Sequence, residues 1–246
     1  MQARKFMLVR YNKMPWWAGA VIYQIYPRSF ADSNGDGIGD LQGIIDHLEY
    51  LAGLGIDAIW LCPHYPSPNV DGGYDISDYQ NVASEYGTLD DFKRLIDAAH
   101  AKRIRIITDL VLNHTSTQHP WFKESRSSRE NPKRDWYVWA DGKNGGPPNN
   151  WLSDYGGSAW ELDTATGQYY YHFFFKEQAD LNWRNPEVKK AMFDVARFWL
   201  ELGVDGFRLD AVGTIYENPT MADHKSSLRP RTGPLLMPMS GENVDW

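Results

Sequence analysis

The sequence predicts an α/β protein organised as a (β/α)8 barrel, with about the first four β/α repeats present and a small domain inserted after the third strand. Three observations predict it. Short β-branched or aromatic runs alternate with helix-period segments, one long aperiodic stretch interrupts them, and the residues able to do chemistry cluster where strands end. Strand–helix–strand alternation calls for a parallel sheet with right-handed crossovers. A doubly wound sheet shares that pattern, but no glycine-rich phosphate fingerprint follows the first strand.

Residues 20–26, AVIYQIY, read as a short buried strand. Asp40 then caps a helix whose apolar positions Leu41, Ile44, Ile45, Leu48, Leu51 and Ala52 follow the 3.6-residue period. Residues 58–61 form a second strand. Thr88 and Asp91 have capping-box spacing ahead of a helix with Phe92, Leu95, Ile96 and Ala99 on one face. Residues 104–108 form a third strand and complete a first half-barrel unit, 1–112. Residues 113–182 are rich in Gly, Pro, Asn and aromatics without a helical period, too long for a connection inside a compact fold, and are expected to be an inserted domain. Barrel structure resumes over 183–224. Asn185 and Pro186 open a helix with a Val188, Ala191, Met192, Val195, Phe198, Trp199, Leu202 stripe that Gly203 ends, and residues 204–209 form the fourth strand. Residues 225–246 show no period and read as a tail.

Composition narrows the function. The 246 residues are 42% hydrophobic, enough for one large core, and a net charge of −7 without a basic stripe excludes nucleic acid as the expected partner. The single cysteine, Cys62, rules out a disulfide framework and fits a reducing compartment. No stretch approaches the roughly 18 apolar residues of a membrane span, and the first 14 residues lack a secretory pattern, so a cytoplasmic protein without membrane contact is expected. The 11 Trp, 14 Tyr and 10 Phe serve either the core or a sugar-binding surface.

The chemistry-bearing residues follow the strands. Asp109 ends the third strand in DLVLNH, with Asn113 and His114 next, and Asp210 ends the fourth in GFRLDAV. Strand alternation puts Arg208 and Asp210 on one side, where a guanidinium is expected to hold the carboxylate ionised and aimed. Such a carboxylate can attack an anomeric carbon, as in a retaining glycosidase, and the same pair can be purely structural. DGGYDISDY, after the second strand, offers Asp71 and Tyr74, a ring on which a sugar can stack. DSNGDGIGD (32–40) places oxygen ligands at alternate positions with Gly at the sixth, the start of an EF-hand-type loop, but Gly43 stands where the bidentate Glu would. A metal-free Asx-rich turn is the alternative. His47, His64, His100 and His119 show no ligand spacing.

Together these motifs resemble glycoside hydrolase family 13, the α-amylase family, and within it the α-glucosidase, oligo-1,6-glucosidase and trehalose synthase group. DLVLNH and GFRLDAV match two family signatures. QADLNW (178–183) resembles a third, with Ala179 replacing the usual Pro, and the run 149–168 looks like an α-glucosidase insert. The resemblance implies a retaining α-glucosidase of short α-linked glucosides. Asp210 would be the nucleophile and Arg208 its orienting partner. Asp71, Tyr74 and His114 would line the glucose subsite, with Asp109 bonding there or to Arg208. Asp32, Asn34, Asp36, the Ile38 carbonyl and Asp40 would hold structural calcium, and no organic cofactor is expected. Ala211, after the nucleophile, leans toward α-1,4 bonds, since Val there accompanies α-1,6 activity. The family's general acid, a Glu ending a fifth strand, and its His-Asp pair have no recognisable counterpart, and Glu242 in SGENVDW lacks a preceding strand pattern. A glucosyl-transferring isomerase and a non-catalytic amylase-like sugar-binding protein are the alternatives.

Overall fold

The computed structural model describes residues 14–224. In chain order these form β1 (Ile22–Ile25), α1 (Pro27–Phe30), α2 (Leu41–Asp46), α3 (Leu48–Gly53), β2 (Ala58–Leu61), α4 (Leu89–Ala101) and β3 (Arg105–Val111). Then come β4 (His114–Ser116), α5 (Pro120–Ser125), β5 (Trp139–Ala140), β6 (Trp160–Asp163), β7 (Gln168–Tyr171), β8 (Gln178–Asp180), α6 (Pro186–Leu202) and β9 (Gly206–Asp210). The tail 225–246 and Glu242 lie outside the described residues.

The main sheet runs β1-β2-β3-β9, parallel throughout. Its helix-facing side chains are Ile25, Ile59, Leu61, Ile106 and Leu110, all buried in one core with helix residues such as Leu41, Ile44, Phe92, Leu95, Met192 and Trp199. Removing such side chains from water contributes roughly 1.5–3 kcal/mol each before chain entropy is charged against it. The opposite side carries Gln24, Trp60, Ile107, Asp109, Arg208 and Asp210, because paired residues in a parallel sheet point the same way and alternate along each strand.

The caps explain where helices begin and stop. Thr88 and Asp91 form a complete reciprocal capping box, with Asp91 serving as well as the usual Glu. Asn185 accepts from Glu187 N, Pro186 opens α6, and Gly203 closes it at φ 116°, a left-handed cap. The helix expected from Leu41 through Ala52 is two helices, broken at His47. There the ring Nδ1–H donates to the Gly43 carbonyl at 2.8 Å, the acceptor its own backbone N–H would use, and that N–H turns to Ile44 instead. The third strand runs to Val111, so Asp109 sits within it rather than at its end.

The insert has its own small core. β5, β7 and β6 form an antiparallel sheet over Val138, Trp151, Ala159, Trp160, Tyr171 and Phe173. These aromatics are core rather than sugar-binding surface: Trp151, Trp160 and Tyr171 are all buried. The antiparallel pair β4–β8 is the stem that ties the insert to the end of β3. His64, 0% exposed and stacked on Phe92, is a neutral packing ring whose burial pushes it down to about 3.

Candidate active site

Register builds the first half of the site. Asp109 pairs with Arg208 and Val111 with Asp210. Arg208 Nη1 donates to Asp109 Oδ1 at 2.9 Å and also to Asp210 Oδ1. The other Asp109 oxygen, Oδ2, accepts from Trp60 Nε1 at 2.9 Å and from the Tyr74 hydroxyl at 3.1 Å. Below it the Tyr65 hydroxyl holds the Asp109 carbonyl at 2.6 Å. One carboxylate, itself held by three donors, thus fixes the guanidinium that touches the other.

The insert's stem builds the second half. Pairing Ser116 with Gln178 and His114 with Asp180 carries the Gln178 amide to the mouth. Its Oε1 accepts from Phe175 N at 3.1 Å, which orients Nε2 toward Asp71 Oδ2 and His114 Nε2, each at 3.0 Å. His114 is buried and pushed down to about 4, so it is neutral near pH 7 and its Nε2 accepts the Gln178 proton. The structure therefore brings all six expected residues into two linked groups, Asp71 with His114 and Tyr74 with Asp109, Arg208 and Asp210. Tyr74 lies between them, its hydroxyl on Asp109 Oδ2 and its carbonyl packed 3.3 Å from the His114 ring.

Two members escaped the sequence reading. Gln178 stands in a motif that marked it, QADLNW, but its role depends on an antiparallel partner 62 positions away in the register. Trp60 carries no local signal separating it from a core tryptophan.

Burial is the largest influence on Asp210 and on Asp109, and it lifts both above the ordinary carboxylate value. Arg208 opposes that rise without reversing it. The guanidinium is itself held more firmly protonated by the two carboxylates. Directly after Asp210, Ala211 adopts φ 46° and ψ 31°, a left-handed conformation costing a non-glycine residue roughly 1–2 kcal/mol. It turns the chain away from the strand, and Thr214 Oγ then bonds Asn113 Oδ1 at 2.9 Å, tying this turn to the end of β3.

Residues 24–239 match the family model of the α-amylase catalytic domain. The chain belongs to the α-amylase family. An oligo-1,6-glucosidase of Parageobacillus thermoglucosidasius is 56% identical over 208 residues, 85% of this chain and 37% of that protein. An α-glucosidase of Schizosaccharomyces pombe is 54% identical over 216 residues, 86% of this chain and 37% of that protein. Among solved structures, the trehalulose synthase MutB of Pseudomonas mesoacidophila superposes with a TM-score of 0.84 at 55% identity, over 85% of this chain and 38% of that one. The chain thus spans well under half the length of these α-amylase-family relatives. Its four-stranded parallel sheet is the N-terminal part of their barrel.

The loop 32–40 is an Asx-turn cluster as folded. Asp32 accepts from the amides of Asn34, Gly35 and Gly37, Asn34 from Asp36, and Asp36 from Ile38. Asp40 accepts from Gly43 N and from Ser33, so it also caps α2. The missing twelfth ligand has a steric reason: a Cβ at Gly43 would lie 2.1 Å from the Ala31 carbonyl oxygen. Among the described residues no three His, Cys or carboxylate side chains gather as a metal group. The donor chemistry of the loop, all hard oxygen, nonetheless suits calcium.

Proposed function

We propose that this chain supplies the nucleophile half of a retaining α-glucosidase acting on short α-linked glucosides. The observation that carries the reading is Arg208 Nη1 bridging Asp109 and Asp210 at the open end of two adjacent parallel strands. Asp210 attacks the anomeric carbon, the glycosidic C–O bond breaks toward the leaving oxygen, and a general acid from outside the described residues protonates that oxygen. Water then opens the glucosyl ester and Asp210 leaves as the carboxylate. Asp71, held in place by Gln178, offers an acceptor for the hydroxyls of one glucose, with neutral His114 beside it and Tyr74 as the apolar platform. Ala211 supports a lean toward α-1,4 linkages, and the single buried Cys62 fits a cytoplasmic setting. A second reading, glucosyl transfer to an acceptor sugar, is favoured by the likeness to MutB and to the α-glucosyl transfer enzyme XgtA, 56% identical with a TM-score of 0.85 over 86% of this chain and 40% of that one. It shares the nucleophile and the ester. Proton NMR of the first sugar released from maltose by the full-length enzyme tests the retaining reading. α-Glucose is expected first, and β-glucose first would sink it.

The same reading includes calcium at the loop, held by Asp32, Asn34, Asp36, the Ile38 carbonyl and Asp40, where it would tie the start of α2 to the preceding turn. Binding only to the folded loop stabilises the protein by about 2.7 kcal/mol when free calcium is a hundredfold above its dissociation constant. Thermal melts with chelator and with added calcium at equal ionic strength are expected to differ accordingly. An unchanged midpoint would leave the loop as a metal-free cap.

A further inference from the structure

Trp60 lies one layer beneath the Asp109–Arg208 pair, on the barrel-facing side of β2 beside Gln24 and Ile107. Its indole does two separate things. Nε1–H donates to Asp109 Oδ2 at 2.9 Å, and the ring faces the Arg208 guanidinium with Cζ 5.0 Å from its centroid. With Tyr74 on the same oxygen, Oδ2 is filled by two neutral donors and only Oδ1 is left for arginine. A carboxylate with both oxygens open takes an arginine in the two-bond fork geometry, which would draw the guanidinium wholly onto Asp109. By filling Oδ2, the indole keeps the contact single and lets the same Nη1 reach Asp210. The ring face meanwhile supports the cation from below.

On the glucosidase reading above, we infer that Trp60 is a positioning residue for the nucleophile, acting through Asp109 and Arg208 without touching substrate. The other ionisable groups around Asp109 are Arg208 and Asp210 on β9, Tyr74 in the loop after β2, Tyr65 and Cys62.

Two measurements test this, one independent of catalysis. In proton–nitrogen spectra of the chain, the Trp60 Nε1–H signal, assigned by its loss in Trp60→Phe, is expected to titrate with Asp109. Its midpoint should lie above the ordinary ~3.9, and the titration should vanish in Asp109→Asn. In the full-length enzyme, Trp60→Phe keeps a ring under Arg208 but removes the donor. It is expected to lower kcat roughly ten- to a hundredfold, as small misplacements of reacting groups do, with KM nearly unchanged. The loss should disappear on an Asp109→Asn background. An indole signal indifferent to Asp109→Asn would overturn the inference, as would a Trp60→Phe defect that is confined to KM or melting temperature, or equal in both backgrounds. Full activity of Asp210→Asn would instead overturn the glucosidase reading, while the indole titration would still report the Trp60–Asp109 bond.

Discussion

Asp210→Asn in the full-length enzyme is expected to lower kcat/KM for maltose by roughly four to six orders of magnitude, with KM within a few-fold of the parent. The substitution is nearly isosteric, and the carboxamide oxygen can still accept from Arg208, so the fold and the neighbouring Asp109 contact should survive. What disappears is the nucleophile. An amide cannot form the glucosyl ester, and losing a whole covalent pathway corresponds to about 5–8 kcal/mol of barrier at 1.36 kcal/mol per tenfold. The competing idea, an ordinary structural ion pair at a strand end, predicts the reverse pattern: a lower melting midpoint and little kinetic loss. Steady-state kinetics beside thermal melts separates the two.

Arg208→Ala is expected to lower kcat roughly a hundred- to ten-thousandfold and to move the acid limb of the pH–rate profile upward. Burial already raises Asp210, and Arg208 is the main influence opposing it. Without the guanidinium the carboxyl holds its proton to higher pH, so the reactive anion appears later and the deficit shrinks as pH rises. Asp109, 0% exposed, keeps only its neutral donors from Trp60 and Tyr74. Breaking a buried pair costs about 3–5 kcal/mol. The Arg208 side chain is 38% exposed, so solvent screening reduces the expected cost to roughly 1–3 kcal/mol. The stability sign follows from the raised carboxyls. An acid whose folded-state value lies above its unfolded value of about 3.9 favours the folded state below that value and loses the contribution as pH rises. The penalty should therefore be smaller near pH 4 than near pH 7, as denaturant titrations at the two pH values would show. Arg208→Lys keeps the charge but loses the planar fork, and should recover the pH profile better than the rate.

Much of this site was legible before any coordinates because its parts are local. The capping box at Thr88, the Asn185–Pro186 start and the Gly203 stop are written within a few residues each, and the structure has all three. Period-2 alternation placed Arg208 and Asp210 on one side, and that contact is present. What the sequence hid are relations across the sheet. The indole of Trp60 on Asp109 and the delivery of Gln178 by the β4–β8 stem each depend on register between segments far apart in the chain, and the Asp109–Arg208 contact was open to the sequence only as one of two options that the family resemblance implied. The break at His47 was hidden for another reason: a side chain competed with its own backbone for one carbonyl, which helical periodicity does not encode. The rise of Asp210 was not legible because it comes from depth of burial, which the sequence does not display.

The most direct test of the central claim is to trap the ester on Asp210. With 5-fluoro-α-glucosyl fluoride, fluoride leaves without acid assistance, and the electron-withdrawing fluorine at C5 slows the opening of the ester, so the intermediate accumulates. Peptide mass mapping of the inactivated enzyme is expected to find one fluoroglucosyl group on the peptide containing GFRLDAV, at Asp210, and none in Asp210→Asn. A label on any other carboxylate, or inactivation that leaves Asp210 unmodified, would contradict the account.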